Sequence, residues 1–149
     1  MNLMSEMRAE RPAPTDPRLV ALVIVGGAVG TTVRHLLEVA FPHVRSAWPS
    51  ATFGINLVGS FLLAVLLTWL IAQGPDSGWR RGVRVGVGTG VLGGFTTYST
   101  FIIEADSLLR DGHVVLGLAY ATGSVILGIA AALAGAVLVR TILTPRAAR

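Results

Sequence analysis

The sequence predicts an all-α membrane protein of four transmembrane helices, with the third helix broken near its middle. Three observations carry that expectation. Of the 149 residues, 52% are hydrophobic and only 13% charged, with mean hydropathy +0.68, a composition ill suited to a hydrated soluble surface. The apolar residues fall into four long stretches, each able to cross a hydrocarbon core of about 30 Å at about 1.5 Å per residue. Turn-forming residues separate them: Pro42 and Pro49, then "QGPDSGWRRG" from Gln73 to Gly82, then "RDGH" from Arg110 to His113.

Residues 1–18, with Pro12, Pro14 and Pro17 among alternating charges, read as a polar tail, and residues 141–149 as a second. Between them, residues 19–140 form the transmembrane domain, with no room for a separate soluble one. The first stretch runs from Leu19 to about Phe41, interrupted by Arg34 and Glu38. It is read as a retained span rather than a cleaved signal, because the preceding tail is acidic as well as basic and no small-residue cleavage site follows. The second, Ala51 to Ala72, carries no charge; the third runs from about Val83 to Leu109 and the fourth from His113 to Val139.

Every basic residue is arginine, and there is no cysteine. Disulfides, thiolate metal sites and cysteine nucleophiles are thereby excluded. The arginines lie between or beyond the apolar runs rather than on one interleaved basic face, which argues against a nucleic-acid partner. Four spans put both termini on one side. Arg8, Arg11, Arg18, Arg80, Arg81, Arg84, Arg140, Arg146 and Arg149 fall on that side, against Arg34, Arg45 and Arg110 on the other, so the positive-inside rule makes the termini cytoplasmic.

Small residues mark where helices meet. Gly82, Gly86, Gly90 and Gly94 recur every four residues on the third stretch, with Gly26 and Gly30 on the first and Ser124, Gly128 and Ala132 on the fourth. Lipid offers little hydrophobic incentive for association, so such faces serve close backbone approach. Gly88-x-Gly90-x-x-Gly93 has the spacing of a dinucleotide turn, but it lies inside an apolar span with no strand before it and no room for a parallel sheet.

The polar residues within the spans hold the functional information. "GTGVLGGFTTYSTF", Gly88 to Phe101, places paired glycines and a hydroxyl cluster at mid-span. That composition suits an unwound helix, whose freed backbone groups must face protein, water or an ion. Tyr98, Phe101 and Glu104 follow at spacing three, with Ser99 and Thr100 beside them; plain packing and hydroxyl back-bonding would also account for this pattern. Thr52, Asn56 and Ser60 form a stripe on the second span, where Asn56 is either interhelical glue or a substrate contact. Tyr120 and Ser124 repeat the i, i+4 spacing on the fourth. Arg34 and Glu38 are spaced as an internal ion pair, and His35, His43 and His113 lack metal-site spacing. A lining of hydroxyl, amide and aromatic groups without fixed charge suits a small anion that is coordinated yet released. No bond chemistry is implied, so an enzyme is not expected.

"GGAVGTTVRH" (Gly26 to His35), "ATFGINLVGSFLLA" (Ala51 to Ala64), "GTGVLGGFTTYSTF" and "YATGSVILG" (Tyr120 to Gly128) together resemble the CrcB/Fluc fluoride channels of bacteria. The resemblance covers all four spans in order. It implies a channel for passive fluoride efflux in the bacterial inner membrane, built as an antiparallel dimer with two pores and a structural sodium ion. It implies further that Asn56 donates its amide to fluoride and that Tyr98 and Phe101 present ring edges to the ion. Ser99 and Thr100 would continue a hydroxyl track towards Glu104, with Tyr120 and Ser124 contributing from the fourth span. Gly93 and Thr96 match positions whose carbonyls bind sodium, and Arg34 an arginine at the end of the first helix. Tyr98 departs from the family's usual Phe, its hydroxyl either adding a donor or crowding the pore. The expected partner is a second subunit in antiparallel orientation, either a copy of this chain or a homologue; the arginine asymmetry, which favours one orientation, points to an oppositely inserted homologue. A small multidrug-type cation/proton exporter is the alternative; its chemistry centres on a membrane-embedded acid, and the first span has none before Glu38.

Overall fold

A computed structural model of the chain describes residues 16–42 and 46–143. The tail arginines Arg8, Arg11, Arg146 and Arg149, along with His43 and Arg45, lie outside the described residues. Every regular element among the described residues is helical: α1 (Pro17–Ala40), α2 (Ser50–Ala72), α3 (Gly78–Val83), a π-helical segment (Arg84–Leu92), α4 (Gly93–Phe95), α5 (Tyr98–Arg110) and α6 (Val114–Leu143). α1, α2 and α6 are each long and apolar enough to cross a membrane. The third stretch is not one helix but α3, the π-helical segment, α4 and α5 in succession. The protein is therefore an all-helical membrane protein.

Local chemistry sets the ends. Asp16 caps α1 by accepting the Arg18 N–H at 2.9 Å, with Pro17 at the first helical position, where its missing N–H costs nothing. α5 is stopped just past its C-cap by Gly112, which adopts φ +83°. The Gly112 N–H bonds to Leu109 O at 3.2 Å and the His113 N–H to Leu108 O at 2.8 Å, closing the last turn so that α6 begins at once. The π-helical turn coincides with Gly86, Gly88 and Gly90, all buried, where no side chains resist a wider helix.

Glycines decide the packing. A Cβ on Gly90 would come within 3.1 Å of the Gly26 Cα, and one on Gly94 within 3.0 Å of the Gly27 Cα. Gly26 and Gly30 in turn lie against the backbones of Gly86 and Val91. These contacts advance together along both chains, so α1 and the third stretch run side by side in parallel. The expected small-residue ladder is therefore the α1 contact. α2 and α6 form a second parallel pair: a Cβ on Gly135 would meet Phe61 O at 2.6 Å, and one on Gly128 would lie 3.8 Å from Ser60 Oγ. The outer faces stay apolar and exposed, as at Val25, Ile71, Val115 and Ile142, which suits lipid as solvent.

Candidate functional site

The third stretch breaks at Thr96 and Thr97, whose backbones are extended (ψ 156° and 125°). An unwound pair leaves amides and carbonyls without helical partners. Asn56 on α2 takes both of those on Thr97: its Oδ1 accepts the Thr97 N–H at 2.8 Å and its Nδ2 donates to Thr97 O at 2.9 Å. Because one partner is a donor and the other an acceptor, this pairing fixes which way the amide points. One Nδ2 hydrogen remains. Arg34 donates through Nε to Gly94 O at 3.2 Å, Thr31 adds its hydroxyl at 3.4 Å, and Arg34 Nη1 pairs with Glu38 at 3.4 Å. On the far side of the break Thr97 Oγ1 accepts the Thr100 N–H at 3.2 Å, capping α5, and donates to Thr100 Oγ1 at 3.0 Å.

A cavity of about 350 Å³ opens at the break. Asn56, Gly93, Thr96, Tyr98, Phe101 and Ser124 are among its lining residues, and no charged side chain is. The Ser124 Oγ is buried without a hydrogen-bond partner, an arrangement that invites an explanation. Tyr98 is 77% exposed beside the cavity, its ring centroid 6.1 Å from that of Phe101. The Gly93 and Thr96 carbonyls have lost their ordinary helical partners: the Thr97 amide turns to Asn56 and the Thr100 amide to Thr97 Oγ1.

Deeper along α5, Glu104 is 8% exposed and accepts two hydroxyl bonds of 2.8 Å, from Thr52 to Oε1 and from Tyr120 to Oε2. Hydroxyl donation to a carboxylate is among the stronger hydrogen bonds. Aromatic rings run on from the cavity to this cluster: Phe101 and Tyr120 lie 5.4 Å apart, and Trp48 sits edge-on to Tyr120 at 5.4 Å and to Phe53 at 5.3 Å.

A family model described as CrcB-like protein, Camphor Resistance (CrcB), matches residues 21–136. The chain belongs to the CrcB family. This CrcB chain is 47% identical over 128 residues to a protein of Leifsonia xyli called Fluoride-specific ion channel FluC 2, covering 86% of this chain and 88% of the relative. It is 48% identical over 116 residues to a Deinococcus radiodurans protein called Fluoride-specific ion channel FluC, covering 76% and 89%. A Caulobacter vibrioides protein of the same name is 40% identical over 124 residues, covering 81% and 94%.

The residues singled out from the CrcB sequence separate into three groups in space. Asn56, Tyr98, Phe101, Ser124, Gly93 and Thr96 meet at the cavity. Glu104 and Tyr120 form the buried carboxylate cluster one turn beyond Phe101. Ser99 and Thr100 gather at Thr97, with Ser99 Oγ 3.4 Å from Thr97 Oγ1. Arg34 reaches the third stretch just before its break, rather than pairing with Glu38 alone. Two further residues belong to the site. Thr52, part of the polar stripe in the sequence, stands four residues before Asn56 on the same helix and reaches Glu104. Thr97 is the residue on which the break is fastened, and its sequence signal is a threonine three residues before Thr100, the spacing of a helix cap.

Proposed function

We propose that this protein is a fluoride-specific ion channel that lets fluoride leave the cytoplasm passively and so confers fluoride resistance. The observation that carries the reading is the uncharged cavity at the break, where the unpartnered Ser124 Oγ and the remaining Asn56 N–H stand with the Phe101 ring. Fluoride surrenders a tight hydration shell only to donors that replace it. Hydroxyl and amide groups do so, ring edges add the positive part of the aromatic quadrupole, and the lack of a fixed cation lets the ion go again. The names of the relatives in Leifsonia and Deinococcus support the same substrate. Efflux down a gradient needs no catalytic group.

In this reading Ser99, Thr100, Glu104 and Tyr120 continue the path beyond Phe101, the protein sits in the bacterial inner membrane, the broken third stretch completes a fourth span, and the termini are cytoplasmic. Tyr98, exposed beside the cavity in a single chain, supports a second subunit packing there in antiparallel orientation to give two pores. The partner is an oppositely inserted homologue, since this chain's arginines crowd one end. Gly93 O and Thr96 O, neutral hard donors released by the break, fit sodium, which would tie the two breaks together as a structural ion.

The test is fluoride release from liposomes loaded with fluoride, read by a selective electrode, with this chain alone and with a co-expressed homologue. Fluoride release without chloride release is expected. Absence of fluoride release from both preparations overturns the channel reading, and full release from the chain alone overturns the heteromeric one.

A further inference from the structure

The end of the bundle where α2 passes into α3 carries a basic and aromatic cluster that fluoride conduction does not use. Chain direction brings the start of α1, the end of α2, the start of α3 and the end of α6 to this one end. Among the described residues it holds Arg18, Arg80, Arg81, Arg84 and Arg140 against Asp16 and Asp76, whereas the opposite end holds Arg34 and Arg110 against Glu38, Asp106 and Asp111. Two of the chain's three tryptophans stand here, Trp69 in the last turn of α2 and Trp79 in the first of α3, with ring centroids 5.8 Å apart and both rings solvent-accessible.

The one acid in the connection is already engaged. Asp76 Oδ2 pairs with Arg84 at 2.8 Å, and that hydrogen bond, with the charges of Arg81 and Arg80, holds the Asp76 carboxyl below its usual value. Arg80 is held in place without being neutralised. Its Nε donates to Pro75 O at 2.7 Å, its guanidinium lies 5.8 Å from the Trp79 ring centroid, and it rests against Gly74, where a Cβ would come within 3.7 Å. Both Arg80 Nη groups are left without a protein acceptor, and the adjacent, exposed Arg81 makes no hydrogen bond or ion pair among the described residues.

From this arrangement we infer that the α2–α3 connection is a binding site for an anionic phospholipid, its phosphodiester held by Arg80 and Arg81 and its glycerol and upper acyl region by Trp69 and Trp79. Tryptophans at the end of an apolar span sit at headgroup depth, and arginine forks match phosphate oxygens two at a time. A juxtamembrane arginine near an anionic surface is worth about fivefold to tenfold in lipid affinity. This inference stands apart from the fluoride reading, because none of its residues lines the cavity.

The experiment titrates the full chain in neutral detergent with phosphatidylglycerol and with phosphatidylcholine of the same acyl chains, counting bound lipids by native mass spectrometry. Phosphatidylglycerol should bind at about tenfold lower concentration or better. Arg80→Gln/Arg81→Gln should remove that preference while leaving phosphatidylcholine binding unchanged. Arg81→Gln alone, at an exposed side chain that makes no hydrogen bond or ion pair among the described residues, should remove part of it with no loss of monodispersity, which separates lost binding from misfolding. Equal affinity for both lipids, or full preference in the double variant, overturns the inference. Competition by soluble glycerol phosphate as effective as by the lipid would assign the site to a free phosphate and overturn it as well.

Discussion

Asn56 clamps both backbone groups of Thr97, accepting its N–H at 2.8 Å and donating to its carbonyl at 2.9 Å. A side-chain amide thus replaces two helical hydrogen bonds at the point where the third stretch unwinds. The break is tolerated in an apolar chain because of that substitution, and the second Nδ2 hydrogen is left over for the cavity. The two sequence readings of Asn56, interhelical glue and ion contact, are compatible within one amide.

Asn56→Asp should lose fluoride flux by at least about tenfold, the equivalent of about 1.4 kcal/mol on the barrier. The carboxylate keeps the Thr97 N–H but turns an acceptor towards Thr97 O and an anion towards the cavity. Asn56→Ala leaves both Thr97 groups unpaired where that residue is 8% exposed, at about 1–3 kcal/mol for each buried group. Liposome flux and thermal unfolding together check this; wild-type values in both variants would show that the clamp is dispensable.

Phe101→Ile should abolish most flux while the protein remains folded, since Phe101 shares its core with Ala105, Leu108 and Tyr120 and isoleucine keeps part of its volume. Tyr98→Phe should behave differently. The Tyr98 hydroxyl makes no hydrogen bond within the described residues and its ring is exposed in the single chain, so stability should be unchanged and flux equal to or above that of the parent. Loss of flux in Tyr98→Phe would mean that the hydroxyl serves as a donor to the ion.

Removing either hydroxyl that holds Glu104 should destabilise the protein. Tyr120→Phe and Thr52→Val each delete one donor to a buried carboxylate, at about 1.5–3 kcal/mol apiece. The double variant should depart from the sum of the singles, because both donors bind one carboxylate. Melting temperatures of the four proteins read the coupling. Strict additivity, or no loss in either single variant, would remove the cluster from the account.

The glycine contacts give a paired comparison. Gly30→Ala places a methyl against the Val91 carbonyl and should prevent α1 from seating on the third stretch, whereas Gly54→Ala meets nothing within 4 Å. Backbone cannot retreat as a flexible side chain can. Yield of monodisperse protein should collapse for the first and hold for the second; an equal yield would show that the two helices do not approach as closely as described.

Much of this was readable in the chain itself. Hydropathy and turn residues marked four helical stretches, because a lipid-facing surface must be apolar along its whole length and a reversal at its end must not be. The glycines spaced by four marked a close contact, and the run from Gly93 to Thr100 marked a break, since paired glycines and hydroxyls weaken a helix locally. What the tertiary structure decided was the partner of each polar group. The ladder could have met any helix and meets α1. Thr52 could have bonded its own helix and instead reaches Glu104, 52 residues away. Arg34 could have been confined to Glu38, yet it pairs with Glu38 and also holds Gly94 O. The physical reason is the same throughout: periodicity along one helix fixes which residues share a face, but an apolar solvent leaves each buried donor and acceptor to be satisfied by another segment, and that segment is chosen only when the helices pack.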